Sequence, residues 1–194
     1  CPCITVAQFP IEMDALSPSD DLLRTMAAVP VSNAVLDLGC GAGRHTEALL
    51  RLSFPVHACD PREAAVATTR DTIEELVGRE TAETCVQVAE LDSLDFEEEM
   101  FDWVVADRAE IYAADPESLT DLLSHARRLL KPGGWIYLTV PDAGEGAEHF
   151  TQDEVEQART AAELAEAEAP SATEGATGPR IQAIFRRVAP QTPA

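Results

Sequence analysis

Lysine is nearly absent: Lys131 is the one lysine in 194 residues, and thirteen arginines complete a set of 14 bases against 35 acids, for a formal net charge of −21. A surface so short of positive charge repels phosphate backbones and anionic bilayers at ordinary salt, so neither nucleic acid nor membrane is an expected partner. Apolar runs of eighteen or more residues are also missing, which argues against a membrane-spanning helix. The opening stretch CPCITVAQFPIEMDAL has no basic leader, apolar core or small-residue cleavage site, and a cytoplasmic location is the expectation. The five cysteines are an odd number: Cys40 lies in a glycine loop, and Cys59 and Cys85 lie in or beside apolar runs, as small buried residues do rather than members of a disulfide framework. Cys1 and Cys3 form a close pair with no His or Cys at ligand spacing after it, so no metal site is expected.

What is present is a regular alternation. Between residues 19 and 140, short apolar runs alternate with stretches of helical period, the pattern of a mostly parallel sheet covered by helices on both faces. The length suits one domain, read as an extension (1–18), a core (20–150) and a tail of helix, linker and edge strand (151–194). Ser19 or Asp20 caps a first helix that Pro30 ends. Strands are expected at 34–38, 55–60, 85–90, 103–106 and 135–140, with helices near 44–52, 62–78 and 117–130 between them. Pro132-Gly133-Gly134 stops the last of these helices. Thr151, with Glu154 three residues on, caps a helix of about 152–169. PSATEGATGP (170–179) reads as a flexible linker, and RIQAIFRRVA (180–189) as a final edge strand, which makes six or seven strands.

The densest chemical signal is VLDLGCGAG (35–43), a strand running into Gly39, Cys40, Gly41 and Gly43 and then a helix N-terminus. Open α/β sheets bind ligands at this carboxyl edge. The spacing is G-x-G-x-G rather than G-x-G-x-x-G, and Asp37 stands two residues before the first glycine. A carboxylate there suits a ligand ammonium and is badly placed for a pyrophosphate. Asp60, followed by Pro61, ends the second strand, where a carboxylate can accept two ribose hydroxyls. Glu90 ends the third, where it can accept an adenine amine while Leu91 covers the ring. Each acid alone is ambiguous in so acidic a chain; three at successive strand ends beside a glycine loop are not.

These segments carry a resemblance spanning roughly residues 20–150. VLDLGCGAGRHT resembles the first motif of class I S-adenosylmethionine-dependent methyltransferases, and ACDPR their ribose-binding motif. AELDSLDFEEEMFDWVVAD resembles their adenine segment and fourth strand, and LLKPGGWIYLTVPD their fifth-strand signature. The resemblance implies a Rossmann-like doubly wound sheet and S-adenosylmethionine as cofactor, with Asp37, Gly39, Cys40, Gly41, Gly43, Asp60, Pro61, Glu90, Leu91 and Asp107 around it. Two departures stand out: Glu90-Leu91 replaces the usual Asp-Ala, and one clear terminal strand replaces the usual antiparallel pair. The implied activity is methyl transfer to a small or medium acceptor at oxygen, nitrogen or carbon. The alternative is a cofactor-binding regulatory or partner protein with no methyl transfer of its own, and a nicotinamide-dependent oxidoreductase is a weaker third reading. The segment 107–112 (DRAEIY) is expected to face the methyl group. Asp107 and Tyr112 within it, and His149 after the fifth strand, are the candidates to position or deprotonate the acceptor. Absence of Asn-Pro-Pro-Tyr or Asp-Pro-Pro-Tyr gives no pointer to amide or base-amine methylation. His45 reads as local packing, and His57 and His125 as residues of a strand and a helix. The excess of acids resembles the composition of proteins from salt-accumulating halophiles.

Overall fold

The computed structural model describes residues 17–143, 149–175 and 177–189. Most of the expected extension, including Cys1 and Cys3, lies outside them. Helix α1 (Asp20–Ala27) begins where the Ser19 hydroxyl accepts the Leu22 N–H at 3.3 Å, and it buries Leu22 and Met26. Strand β1 (Val35–Leu38) runs through the glycine loop into α2 (Arg44–Arg51) and β2 (Val56–Asp60). Helices α3 (Glu63–Val77) and α4 (Arg79–Cys85) lead to β3 (Val86–Val88), and β4 (Phe101–Ala106) is followed by α5 (Pro116–Leu129) and β5 (Leu130–Pro141). The chain closes with α6 (Gln152–Ala161), β6 (Ala165–Gly175) and β7 (Gly178–Arg186).

The strands form one seven-stranded sheet in the order β3-β2-β1-β4-β5-β7-β6. The first five are mutually parallel, and β7 runs antiparallel to both β5 and β6. Chain direction across the sheet reverses between β1 and β4, which opens a crevice beyond their carboxyl ends. Alternation along β1 decides what faces that crevice from which side. Leu36 and Leu38 join the larger core layer with Leu119, Leu122 and Val155 of α5 and α6. Val35 joins the opposite layer with Leu22 of α1 and Leu49 of α2. Asp37 shares the face of Val35 and therefore meets α2.

The tail differs from its expected form. The helix after Thr151 stops at Ala161 rather than near 169, with Glu163 in the left-handed region at φ 55°. Residues 165–175, expected as the end of that helix and a linker, form β6, paired in register with β7 from Ala165 opposite Arg186 to Gly175 opposite Gly178. Alanine and glutamate favour helix in isolation, but cross-strand pairing overrides that preference. Strand β7 is accordingly interior, and β6 is the edge, where Pro170 and two register shifts are tolerated. The strand expected at 85–90 is only Val86–Val88, preceded by the unforeseen α4. No helix among the described residues is long and apolar enough to cross a membrane.

Candidate active site

Two neighbouring regions of the carboxyl edge carry the expected residues. The first is the glycine loop. Gly39 sits at φ 86°, and a Cβ there would lie 2.8 Å from Cγ2 of Ile111, so the segment after β4 can close onto the loop only over a glycine. Gly41, at φ 56°, has open space above it apart from an Arg62 Nη2 at 3.9 Å. Gly43 caps α2, and Cys40 is buried with its thiol beside the Thr69 hydroxyl. Burial pushes the Cys40 and Cys59 thiols up, so both stay protonated and behave as packing groups.

Asp37 is 2 % exposed. Its Oδ2 accepts the Thr46 hydroxyl at 2.6 Å, and among the described residues no donor reaches its other oxygen. Burial pushes the carboxyl up to about 6, against the opposing Thr46 hydrogen bond. A buried carboxylate with one oxygen unpartnered can receive a cationic group.

Asp60 is fully buried at the end of β2. Its Oδ2 accepts the Gly41 N–H at 3.0 Å, which ties loop to strand, and Arg62 takes the rest: Nε and the backbone N–H on Oδ1, and Nη2 on Oδ2, each at 2.9 Å. The Arg62 side chain is 44 % exposed, so it can leave for solvent and clear both carboxylate oxygens for a diol. Pro61 is half-buried between them. Glu90 is exposed and heads a short 3-10 turn (Leu91–Ser93) through a reciprocal cap with Ser93, while Leu91 packs against the main core. The Ala89 N–H donates to the Asp60 carbonyl at 3.1 Å, so Glu90 and Asp60 share one edge.

The second region is a cleft of about 580 Å³ over the ends of β4 and β5, walled by the start of α1 and the β6–β7 hairpin. Asp107 lies in it, 8 % exposed; it accepts Arg44 Nη2 at 2.5 Å on one oxygen and the Thr139 hydroxyl at 2.7 Å on the other. Burial alone would raise this carboxyl. His45, charged only in the acid range where Asp107 titrates, the Thr139 hydrogen bond, Arg44 and Arg180 together outweigh it and hold Asp107 below the ordinary carboxylate range. His45 is buried with Nε2 accepting the Ser19 N–H at 3.0 Å and Nδ1 3.7 Å from Asp107. Burial lowers its proton affinity, so the imidazole is neutral and links α1 to the site.

Tyr112 does not line this cleft. Its ring packs over Gly39 and its hydroxyl donates to the Ala89 carbonyl at 2.9 Å, clamping the segment after β4 across the ends of β1 and β3. Burial raises the phenol beyond use as a base. His149 is exposed and does not line the cleft either. Of the three residues expected at the acceptor, only Asp107 lines this cleft. Arg44, Arg108, Thr139 and Arg180 are the additions. Arg108 follows β4 with φ 58°, its N–H donating to the Thr139 hydroxyl at 2.9 Å. Arg180 is buried on β7, with Nη1 and Nη2 on the two Glu110 oxygens at 3.0 and 2.6 Å. Arg44 alone left a trace in the sequence, a cation at a helix N-terminus, where the macrodipole disfavours it.

A parallel sheet reversing at β1 and β4, a G-x-G-x-G loop and acids closing β1 and β2 define the S-adenosylmethionine-dependent methyltransferase class. The chain belongs to the family described as Methyltransferase domain, which it matches over residues 35–134. It is similar to the biotin biosynthesis bifunctional protein BioHC of Teredinibacter turnerae, 32 % identical over 117 residues, 56 % of this chain and 20 % of the relative. It is also similar to trans-aconitate 2-methyltransferase of Paracidovorax citrulli, 32 % identical over 151 residues, 74 % of this chain and 52 % of that one. The chain thus spans between a fifth and about half of these relatives. In fold it is similar to a SAM-dependent methyltransferase from Methanosarcina mazei, with a TM-score of 0.70 at 18 % identity, covering 90 % of this chain and 100 % of the other.

Proposed function

We propose that this chain transfers a methyl group from S-adenosylmethionine to a small or medium acceptor held in the cleft beside Asp107. The observation that carries the reading is the adjacency of a glycine loop with buried acids and an open polar cleft across the β1–β4 crevice. On one side are the buried acids Asp37 and Asp60 with the glycine loop. On the other is the cleft, which begins at Asp107 and Arg44.

The donor side fits the cofactor by its chemistry. Asp60 offers two oxygens to the ribose hydroxyls once Arg62 swings out, Asp37 offers its free oxygen to the ammonium, and the space over Gly41 admits a ligand close to the backbone. Leu91 and Glu90 are placed for the adenine at the same edge. When bound, the cofactor supplies a sulfonium-activated methyl group, so the protein's own contribution is binding and alignment. Tyr112 holds the segment after β4 in place, and Thr139 fixes both Asp107 and the Arg108 backbone. A small acceptor accords with the cleft's volume, which falls in the range of small-molecule sites, and with the similarity to an enzyme named for trans-aconitate. Three buried cysteines carrying free thiols support the cytoplasm as the compartment.

The test is calorimetry with S-adenosylmethionine and S-adenosylhomocysteine, followed by turnover in a metabolite extract. Saturable binding with release of S-adenosylhomocysteine is the expected result. Binding without turnover in any extract would return the chain to a regulatory or partner role, and absence of binding would refute the reading.

A further inference from the structure

The wall of the cleft formed by the start of α1 is tied to Asp107 twice, through consecutive residues of α2. Arg44 donates Nη2 to Asp107 Oδ2 and Nη1 to the Ser17 carbonyl at 2.9 Å. His45 accepts the Ser19 N–H on Nε2 at 3.0 Å, while its Nδ1 stands 3.7 Å from the same Asp107 oxygen. Ser19 is the cap of α1, its hydroxyl taking the Leu22 N–H, and Ser17, Ser19, Asp20 and Asp21 line the cleft. The place where α1 begins, and with it one wall of the cleft, is therefore set from Asp107 by way of α2.

The two ties differ in kind. Arginine keeps its charge at any ordinary pH, whereas an imidazole nitrogen that accepts a backbone N–H carries no proton, so the His45 tie exists only in the neutral ring. A proton on Nε2 sets two N–H groups against each other at Ser19 and draws the charged ring toward Asp107. Leu22 and Met26 remain anchored in the core beside Leu49 and Tyr137, so what is freed is the first turn rather than the helix. Among the described residues, the charged and titratable groups on the elements around the ring are Arg44 on its own helix, Asp107 and Arg108 after β4, Tyr137 on β5 and Arg180 on β7. Asp37 of β1 and Asp20, Asp21 and Arg24 of α1 complete the set. Asp107 favours the protonated ring; burial opposes it most strongly, and Arg44 opposes it too. The Ser19 bond is thus fully present at neutral pH and is lost as pH falls through the ring's own titration, below the ordinary histidine range.

We infer that the start of α1 is a proton-operated wall: neutral His45 latches it at the Asp107 end of the cleft, and protonation of the ring releases it and opens the cleft. His45 is on this account a positioning residue, acting on whatever occupies the cleft through Ser19. That the occupant is a methyl acceptor rests on the methyltransferase reading above; the latch itself does not.

The experiment is nuclear magnetic resonance on the whole chain, titrated from neutral pH down to about 4. Imidazole nitrogen shifts report the state of the ring, and hydrogen exchange, corrected for its intrinsic pH dependence, reports single amides. At neutral pH the His45 proton should sit on Nδ1. As the ring takes its second proton, the Ser19 and Leu23 amides should exchange roughly tenfold or more faster with the same midpoint, the scale of one lost hydrogen bond, while Val104 and Val105 of β4 keep their protection. His45→Gln, whose side-chain oxygen can accept the Ser19 N–H without titrating, should keep Ser19 protected throughout, and His45→Ala should leave it unprotected throughout. A proton on Nε2 at neutral pH, Ser19 protection indifferent to the ring's titration, or the same acid response in His45→Gln overturns the inference. So does protection lost in α1 and β4 together, or a ring that stays neutral until the whole protein unfolds. In the same samples at neutral pH, S-adenosylhomocysteine should shift the amides of Gly39–Gly43; its failure to bind would strike the methyltransferase reading and leave the latch standing.

Discussion

Replacing Asp37 by Asn should stabilise the free protein and weaken its cofactor binding. The carboxyl is 2 % exposed and sits near pH 6 rather than at its ordinary 3.8, with burial the main cause. At ~1.4 kcal/mol per pKa unit, that difference corresponds to about 3 kcal/mol of folding stability withheld once the group is ionised. Below about pH 4 the side chain is protonated in both folded and unfolded chains, so Asp and Asn are equivalent there. Between 4 and 6 the unfolded chain releases its proton while the folded one retains it, and stability falls as pH rises. Above 6 both forms are ionised and the full penalty persists. Asn keeps an oxygen for the Thr46 hydroxyl and carries no charge. The gain for Asp37→Asn should therefore be about 1.5 kcal/mol at pH 5 and up to about 3 at pH 8, or up to roughly 10 °C in melting temperature for a chain of this size. Scanning calorimetry without cofactor at the two pH values measures it. In the same variant, S-adenosylmethionine should bind roughly tenfold or more weakly, the scale of a hydrogen bond to a charged group. A variant no more stable than the parent at pH 8, or a gain equal at both pH values, would refute the reasoning.

Three further outcomes are expected. Arg62→Met, which removes the guanidinium from both Asp60 oxygens, should tighten S-adenosylhomocysteine binding several-fold by calorimetry; equal or weaker binding would mean that Arg62 does not compete with the ribose. Tyr112→Phe deletes the hydrogen bond to Ala89 and should cost about 1 kcal/mol in denaturant unfolding, while turnover stays within a few-fold; a loss of a hundredfold or more would make the phenol a participant in the chemistry. With a net charge of −21, the domain should melt at higher temperature in molar sodium chloride than in dilute buffer, because screening length falls from about 10 Å at 0.1 M to roughly 3 Å at 1 M; equal melting temperatures would deny the acids a role in salt response.

The stretch from β1 to β2 was legible because each of its parts leaves a local mark: a short apolar run, glycines spaced for a turn, a helix with one apolar face, another apolar run. Helix α4, RETAETC, has no apolar period to show and buries only Ala82 and Cys85. Strand β6 reads AEAEAPSATEG, which is helix-former composition followed by linker composition, and only its partner β7 makes it a strand. The acids proposed to hold the cofactor were legible for the same local reason, since Asp37 stands next to the end of β1 and Asp60 ends β2. The cleft was not. Its ion-pair chain joins positions 44, 107, 110 and 180, and such a chain has no signature in any window of sequence. Arg180 stands in a strand that also carries Gln182 and Arg186, and nothing along the chain indicates that Glu110 awaits it. Tyr112 was expected to point at the acceptor because it follows β4, and it turns back over Gly39 instead because the missing Cβ leaves room there.

Asp37 and Asp107 show how one sheet gives two buried carboxylates opposite characters. In the β1–β4 register Asp37 faces Val105, so Asp107 lies two residues further along the neighbouring strand, roughly 7 Å. The two acids repel, and that repulsion helps to raise Asp37. Arg44, at the first turn of α2, pairs directly with Asp107 and reaches Asp37 only through its field, so Asp107 is locked as an anion while Asp37 stays poised. The crevice thus carries acids of two kinds: Asp60 and Asp37 beside the glycine loop on the side of β2 and β1, and Asp107 paired with Arg44 beyond β4, in a cleft whose wall holds acids as well as arginines. Alignment is most of what methyl transfer asks of a protein, and the arrangement proposed for it rests on the alternation of β1, the reversal between β1 and β4, and a single arginine placed between two acids.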